Sequence, residues 1–476
     1  MVFSSLTFLF IFLPIVLIGN WLIPKKYSNV FLLLMSLIFY AWGEPKYIIL
    51  MIISIVVNFF VGCLLEDMPK YKKMLLITDV IFNLSLLGYF KYFDFFLNII
   101  NMLIRKDIPA RNIPLPIGIS FYTFQILSYV IDLYYERYKA QRNIKNLALY
   151  ICLFPQLIAG PIVRYSDIRV QLEDRIVTDE KMAEGIRRFI YGLAKKVIIA
   201  NTMAECFKDI LAIDVASLSC QMAWIGTLIC MLNMYYDFSG YSDMAIGLGK
   251  MLGFDFCENF DYPYLSRSIS EYWQRWHISL GVWFKEYVLA PFTMSSLIKF
   301  IRRKIKNKNV RRMFISCTGT MVVFVLTGLW HGAGWGFVFF GFYHGLLMVI
   351  EQLGFKDFLG KHNILSRIYL LVAVGVGMIV FEDGLSRGIP YIGVMFSPLR
   401  RPIYDIYSIS EFVDHRVIAF IIIGIMGSGF FKKYFDKLAS LKYSRYAEVA
   451  WCTLILCVSI IMLASGTYNP FIYFRF

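Results

Sequence analysis

Apolar stretches recur along the whole of this 476-residue chain, near positions 3–23, 29–42, 46–65, 74–104, 113–135, 146–162, 186–210, 219–235, 313–330, 335–354, 366–382, 416–430 and 448–466. A helix needs about twenty apolar residues to cross the hydrocarbon of a bilayer. Inside lipid the backbone must satisfy its own hydrogen bonds, so only helices and closed barrels can span it. These runs do not alternate polar and apolar residues as barrel strands do. The fold class is therefore an all-α polytopic membrane protein. Some runs are too short to cross alone, which gives roughly eleven spans by the twenty-residue criterion together with re-entrant and interfacial helices. Residues 1–476 read as a single membrane domain.

Composition agrees: 58% of residues are hydrophobic, 17% are charged, and the mean hydropathy is +0.61. A soluble chain of this length would instead divide into domains joined by polar linkers. A net charge of +15 would suggest nucleic acid in a soluble protein, but in a membrane protein it is the expected Lys/Arg excess of cytoplasmic loops. The densest cluster runs from Arg302 to Arg312 and is expected to face the cytosol and anionic lipid headgroups. The first apolar run has no basic segment before it and no small-residue cleavage site after it, so it reads as a retained span. Lys25 and Lys26 follow it, which places the N-terminus outside. The nine cysteines are scattered without a C-x-x-C pair, so neither a metal site nor a disulfide framework is expected.

Two regions depart from plain spanning helices. Between Asp237 and Pro291, aromatic and charged residues mix too densely for a lipid-facing helix. Tyr272, Trp276, Leu280 and Trp283 recur there at helical spacing, as in an amphipathic helix at the interface or dipping into the protein. The second region, 383–414, is polar, contains three prolines, and reads as an extramembrane loop. Residues 237–345 are taken as the catalytic core region.

His331 lies in the run 326–345, which contains no acid and no lysine. An ionisable residue within a span is a functional-site hypothesis by default. Glycines at 328, 332, 334 and 336 surround it and point to close approach by a backbone or a slender ligand. Burial favours the neutral imidazole, the form a general base requires. His344 follows thirteen residues later, about 140° round a regular helix, and reads as a packing or hydrogen-bonding residue. His362 and His415 lie in polar segments and read as solvated. His277 ends a segment crowded with tryptophan and arginine. That segment fits either an interfacial aromatic belt or an active-site wall, and spacing does not choose between them.

The blocks Trp273-Gln-Arg-Trp-His277 and Gly328-Leu-Trp-His-Gly332 resemble the signature blocks of the membrane-bound O-acyltransferase (MBOAT) family. Leu115–Gln125, Phe154–Arg164 and Tyr235–Asp243 look like the family's bacterial, AlgI-like and DltB-like branch. The opening Val2–Phe10 and closing Phe471–Phe476 look like its alginate O-acetyltransferase-like members in particular. The resemblance implies an MBOAT fold in which helices ring a central tunnel, with acyl donor entering from the cytosol and acceptor from outside. It maps the family's essential histidine onto His331 and its second histidine onto His277. Acetyl-CoA is the implied donor substrate, with no resident cofactor and no metal. The implied partners are an extracytoplasmic SGNH acetyltransferase of the AlgJ/AlgX kind and a polysaccharide as final acceptor. The expected location is the bacterial cytoplasmic membrane.

In that frame Asp237, Ser239, Tyr241, Ser242 and Asp243 would supply polar groups in an apolar wall. Arg164, Arg267 and Arg275 would suit coenzyme A phosphates, and Gln125 and Gln156 would orient donor or acceptor. Trp273, Trp276 and Trp330 complete the candidate set. Each of these, the two histidines apart, also fits a buried polar or aromatic tie between helices. Phe381–Ser386 departs from the arginine-bearing segment expected in alginate O-acetyltransferase-like members, which points to a different acceptor or partner there. The rival activities are transfer of D-alanyl or another acyl group to teichoic acid, and transport of a polysaccharide or lipid-linked sugar. Ionisable residues gather around 237–331 rather than through several spans, which disfavours a transporter.

Overall fold

A computed structural model describes residues 1–399, 407–432 and 444–466, together with 434 and 437. The closing block 471–476 lies outside the described residues, as do 400–406 of the polar region. Among the described residues the regular structure is helical, with a single isolated bridge between Phe260 and Trp276. Among the described residues six helices are long and apolar enough to cross a membrane: Ile48–Asp67, Pro69–Ile104, Lys308–His331, Trp335–Lys361, Asn363–Met395 and Tyr446–Ser465. Phe8–Leu22 and His415–Phe430 are apolar but shorter. The chain is a multi-pass membrane protein.

Two compact units interleave along the sequence. The first comprises residues 1–193 and 241–258, and the second 194–240 and 259–472. In the first, buried amides tie apolar helices together. Asn83 Nδ2 donates across to Asn58 Oδ1 of a neighbouring helix (3.1 Å), the kind of interhelical bond that holds spans together where lipid is as apolar as leucine, and also to Asp79 Oδ2 of its own helix (3.1 Å). Phe3, Phe8, Phe12, Phe39 and Phe154 interlock with ring centroids 5.0–6.3 Å apart.

Six helices that carry site residues are labelled α1 (Cys220–Met251), α2 (Ile269–Arg275), α3 (Ile278–Phe284), α4 (Lys308–His331), α5 (Trp335–Ile350) and α6 (Asn363–Met395). In the second unit α4 and α5 form a tight hairpin. At its crossing Gly328 meets Gly341: a Cβ on either would lie 3.1 Å from the other's Cα and overlap a carbonyl oxygen of the facing helix, that of Phe337 or Phe324. Gly332 lies against the Phe337 ring and Gly336 against Gly384 of α6. Gly328, Gly332 and Gly336 therefore face other parts of the protein at close range, whereas a Cβ on Gly334 would make only ordinary contact with the Phe337 ring.

The amphipathic helix expected through Tyr272, Trp276, Leu280 and Trp283 is two short helices, broken where His277 adopts a left-handed conformation (φ 47°, ψ 52°). All four of these residues are buried, so the segment does not lie on the surface. Residues 383–395, expected as the start of a loop, continue α6 past an interruption at Gly384 (φ 71°, ψ −172°). Arg387 stabilises this turn by pairing with Asp383 (3.1 Å) and donating to the Ile213 carbonyl (2.6 Å).

Candidate active site

His331 is the last residue of α4. Its imidazole is buried among aromatic rings: Trp330 at 5.0 Å, Phe381 of α6 at 5.1 Å and Phe340 of α5 at 6.1 Å between centroids. These edge-on contacts orient the ring by packing. Three separate helices thus converge on one nitrogen heterocycle.

His277 is held differently. Asn259 Oδ1 lies 3.1 Å from His277 Nδ1 and also accepts from the Ser279 hydroxyl (2.8 Å) and the Ser279 backbone N–H (3.3 Å), while the Asn259 carbonyl takes the Ile278 N–H (3.0 Å). An atom that accepts from a backbone N–H is the amide oxygen, so Nδ1 of His277 is the donor to it, and in the neutral ring Nε2 then carries the lone pair. Phe238 of α1 packs edge-on against the same imidazole at 4.7 Å, and Trp330 lies 5.7 Å from it. Trp330 therefore touches both histidines, and the two signature blocks meet.

The bridge between Phe260 and Trp276 brings the Asn259 strand alongside the histidine, with the Asp261 N–H donating to the Arg275 carbonyl (3.0 Å). Trp276 stacks on Tyr272 (5.5 Å) and meets Phe260 edge-on (5.1 Å). Trp273 faces the other way, onto Phe324 (5.2 Å), His344 (5.3 Å) and Phe340 (6.0 Å). The helical angle computed from spacing does not describe His344, because the helix stops at His331 and restarts at Trp335. Through Phe340, His344 (4.7 Å) and His331 share an aromatic neighbour.

The charged candidates are mostly engaged within the protein. Asp237 pairs with Lys196 (2.6 Å), both side chains buried. Arg275 pairs with Glu271 at 2.9 Å, and Arg267 donates to Asn363 Oδ1 at 2.8 Å. Ser239 Oγ is buried without a hydrogen-bond partner among the described residues. Four candidates, Gln125, Arg164, Tyr241 and Asp243, belong to the first unit, as do Gln156 and Ser242. Arg164 pairs with Asp167 (2.9 Å), Asp243 accepts from Arg188 Nε (2.6 Å), and Tyr241 stacks on Phe3 (4.7 Å). Both amide atoms of Gln125 are buried without a hydrogen-bond partner among the described residues, whereas Gln156 Nε2 donates to the Tyr150 carbonyl (2.5 Å). A cavity of about 330 Å³ in this unit is lined by Tyr40, Trp42, Glu44, Ile117 and Ile158 among others, and by none of these candidates.

Sequence reasoning missed Asn259, Lys196, Arg188 and Phe381. Asn259 and Phe381 carried a faint signal, an amide in the aromatic stretch before the first block and a ring at the head of the departing segment. The other two are recognisable only from their partners.

The MBOAT family model, that of the membrane-bound O-acyltransferases, matches residues 34–381. A probable alginate O-acetylase AlgI from Pseudomonas putida is 34% identical over the full length of both chains. The peptidoglycan O-acetyltransferase of Helicobacter pylori is 34% identical over 74% of this chain and 70% of its own. The teichoic acid D-alanyltransferase of Bacillus subtilis is 31% identical over 50% of this chain and 60% of its own. With its two histidine blocks meeting at Trp330 and the family match spanning both, this chain belongs to the membrane-bound O-acyltransferase family and is an acyltransferase.

Proposed function

We propose that this acyltransferase moves an acetyl group from cytosolic acetyl-CoA across a bacterial cytoplasmic membrane for O-acetylation of an extracellular or cell-wall polysaccharide. The observation that carries the reading is the convergence of His331 and His277 on Trp330, in a setting of aromatic rings, with His277 held by Asn259. Similarity over the whole chain to a protein named as an alginate O-acetylase, and over most of it to a peptidoglycan O-acetyltransferase, supports an acetyl donor and a glycan acceptor.

His331 acts as general base. It takes the proton of the attacking hydroxyl as that oxygen bonds to the thioester carbonyl carbon. The tetrahedral intermediate collapses with cleavage of the C–S bond, and the imidazolium returns its proton to the departing thiolate. Because Asn259 engages the Nδ1 proton of His277, the lone pair on Nε2 suits it to accept a hydrogen bond from the hydroxyl. That makes it a positioning group rather than an oxyanion donor. The hydroxyl belongs to a residue of an extracytoplasmic SGNH-type partner or to the polymer itself. Arg267 and Arg275, partly exposed on and beside α2, are the candidates for coenzyme A phosphates.

The test is His331→Ala, with acetyl content of the exported polymer as readout. General-base loss predicts a fall on the order of 10²- to 10⁴-fold, and normal acetylation by a stably inserted variant would overturn the reading. D-alanyl transfer to teichoic acid is the second reading, favoured by the half-chain match to D-alanyltransferases. Mass spectrometry of the modified wall polymer separates the two.

A further inference from the structure

Glu351 follows directly on α5, at the first residue of a π-helical turn, Glu351–Phe355. Its carboxylate is buried. One oxygen accepts from the Ile269 N–H (2.6 Å) and from the Tyr369 hydroxyl (3.1 Å); the other accepts from the Ser270 N–H (2.9 Å). Ile269 and Ser270 are the first two residues of α2, the helix that ends at Arg275, two residues before His277.

The first turn of a helix has donors with no intrahelical partner, and here each is accounted for. Glu351 takes the first two N–H groups and the Ser268 hydroxyl takes that of Glu271 (3.0 Å), after which the Ser268 carbonyl starts the regular intrahelical series at Tyr272 (2.9 Å). A local residue supplies only one of these three caps. The other two come from Glu351, 82 residues from Ile269 along the chain.

The arrangement along α5 gives the cap its consequence. α5 begins four residues after His331 and ends against the start of α2. Between those points Trp273 of α2 touches His344 and Phe340 of α5, so the two helices run antiparallel toward the histidines. The rings allow sliding, because aromatic contacts tolerate offset geometries. A bidentate carboxylate on two consecutive N–H groups does not.

We infer that Glu351 is a positioning residue for acyl transfer: it fixes the axial register of α2 on α5, and through it the place of His277 relative to His331. This rests on the proposed roles of the two histidines. It differs from a bulk stabilising contact in its geometry, since neither a shorter acid nor an amide reproduces two accepted backbone bonds. Glutamine offers one acceptor oxygen and turns an N–H₂ group against the other backbone donor.

The test compares Glu351→Gln and Glu351→Asp with wild type in membranes, by two measurements. The first is steady-state acetyl transfer. A register shift near 1 Å costs on the order of 10²-fold in kcat, and because Arg275 rides on α2 a rise in KM for the acetyl donor is expected beside it. The second is modification of His277 by diethyl pyrocarbonate, read by peptide mass spectrometry. His277 is protected in wild type and becomes reactive in both variants while His344 stays protected. Protection of His277 retained in either inserted variant overturns the inference, whatever the activity. If neither variant inserts, hydrogen exchange of the Ile269 and Ser270 amides in wild type decides, with slow exchange expected and fast exchange overturning it. Failure of the acetyl-transfer reading shows separately, as unchanged transfer in His331→Ala, and leaves the labelling result standing.

Discussion

The two histidines of this site are held in place by opposite means. His331 ends a long apolar helix and is oriented by rings from three helices. His277 lies in a broken, left-handed stretch and is pinned by the Asn259 oxygen and by a neighbouring helix whose start is bonded to Glu351. Aromatic packing orients the first imidazole. A hydrogen bond to Asn259 holds the second, which suits the positioning role proposed for it. The proposed division between base and positioning group therefore falls on two different kinds of support.

The largest effects should separate the two directly. His331→Ala removes proton transfer and is expected to abolish turnover, by on the order of 10²- to 10⁴-fold, without loss of the inserted protein. Asn259→Leu leaves both imidazoles present but frees the His277 tautomer and strands the Ser279 donors. Unpaired buried donors cost about 1–3 kcal/mol each, so the inserted fraction should fall modestly. Transfer should fall on the order of 10- to 100-fold, measured as polymer acetylation. Full activity in Asn259→Leu would erase the distinction between the two supports.

The His331 side of the comparison is tested by its backbone. Gly328→Ala places a methyl onto the facing carbonyl of the α4–α5 hairpin, and overpacking of this kind costs roughly 1–3 kcal/mol. The hairpin must open, carrying His331 away from Phe340. The expected result is a lower thermal midpoint in detergent and reduced transfer. The same change at Gly360, where a Cβ meets nothing within 4 Å, should be silent in both measurements.

What the sequence discloses follows the same divide. His331 is legible because an ionisable residue in an apolar run is conspicuous, and His277 because its block is distinctive. The break at His277 is not legible, since Tyr272, Trp276, Leu280 and Trp283 keep helical spacing straight across it. The interruption is imposed by Asn259, eighteen residues away in the chain. Glu351 looks like the first acid after a span, and only its bonds to α2, 82 residues earlier, give it a role. The glycines near His331 advertise close approach correctly, but nothing in the sequence says that the approaching group is another helix. Local chemistry can be read from the chain; the partners that fix its geometry cannot.

The smallest expected effect concerns Phe381, in the segment that departs from alginate O-acetyltransferase-like chains. Its ring meets His331 at 5.1 Å, and it also contacts Phe340 and Phe337. Phe381→Leu keeps the volume nearly filled but removes these edge contacts, each worth about 0.5–1.5 kcal/mol. Neither His331 nitrogen loses a bonding partner, so the imidazole gains rotational freedom without leaving its site. Transfer is then expected to fall only a few-fold, on the order of a 1 kcal/mol loss of orientation, with polymer acetylation against enzyme concentration as the measurement. A loss as large as that of Asn259→Leu would mean that His331 depends on a single ring rather than on the three-sided cage. The support of the two histidines would then differ in chemistry but not in redundancy.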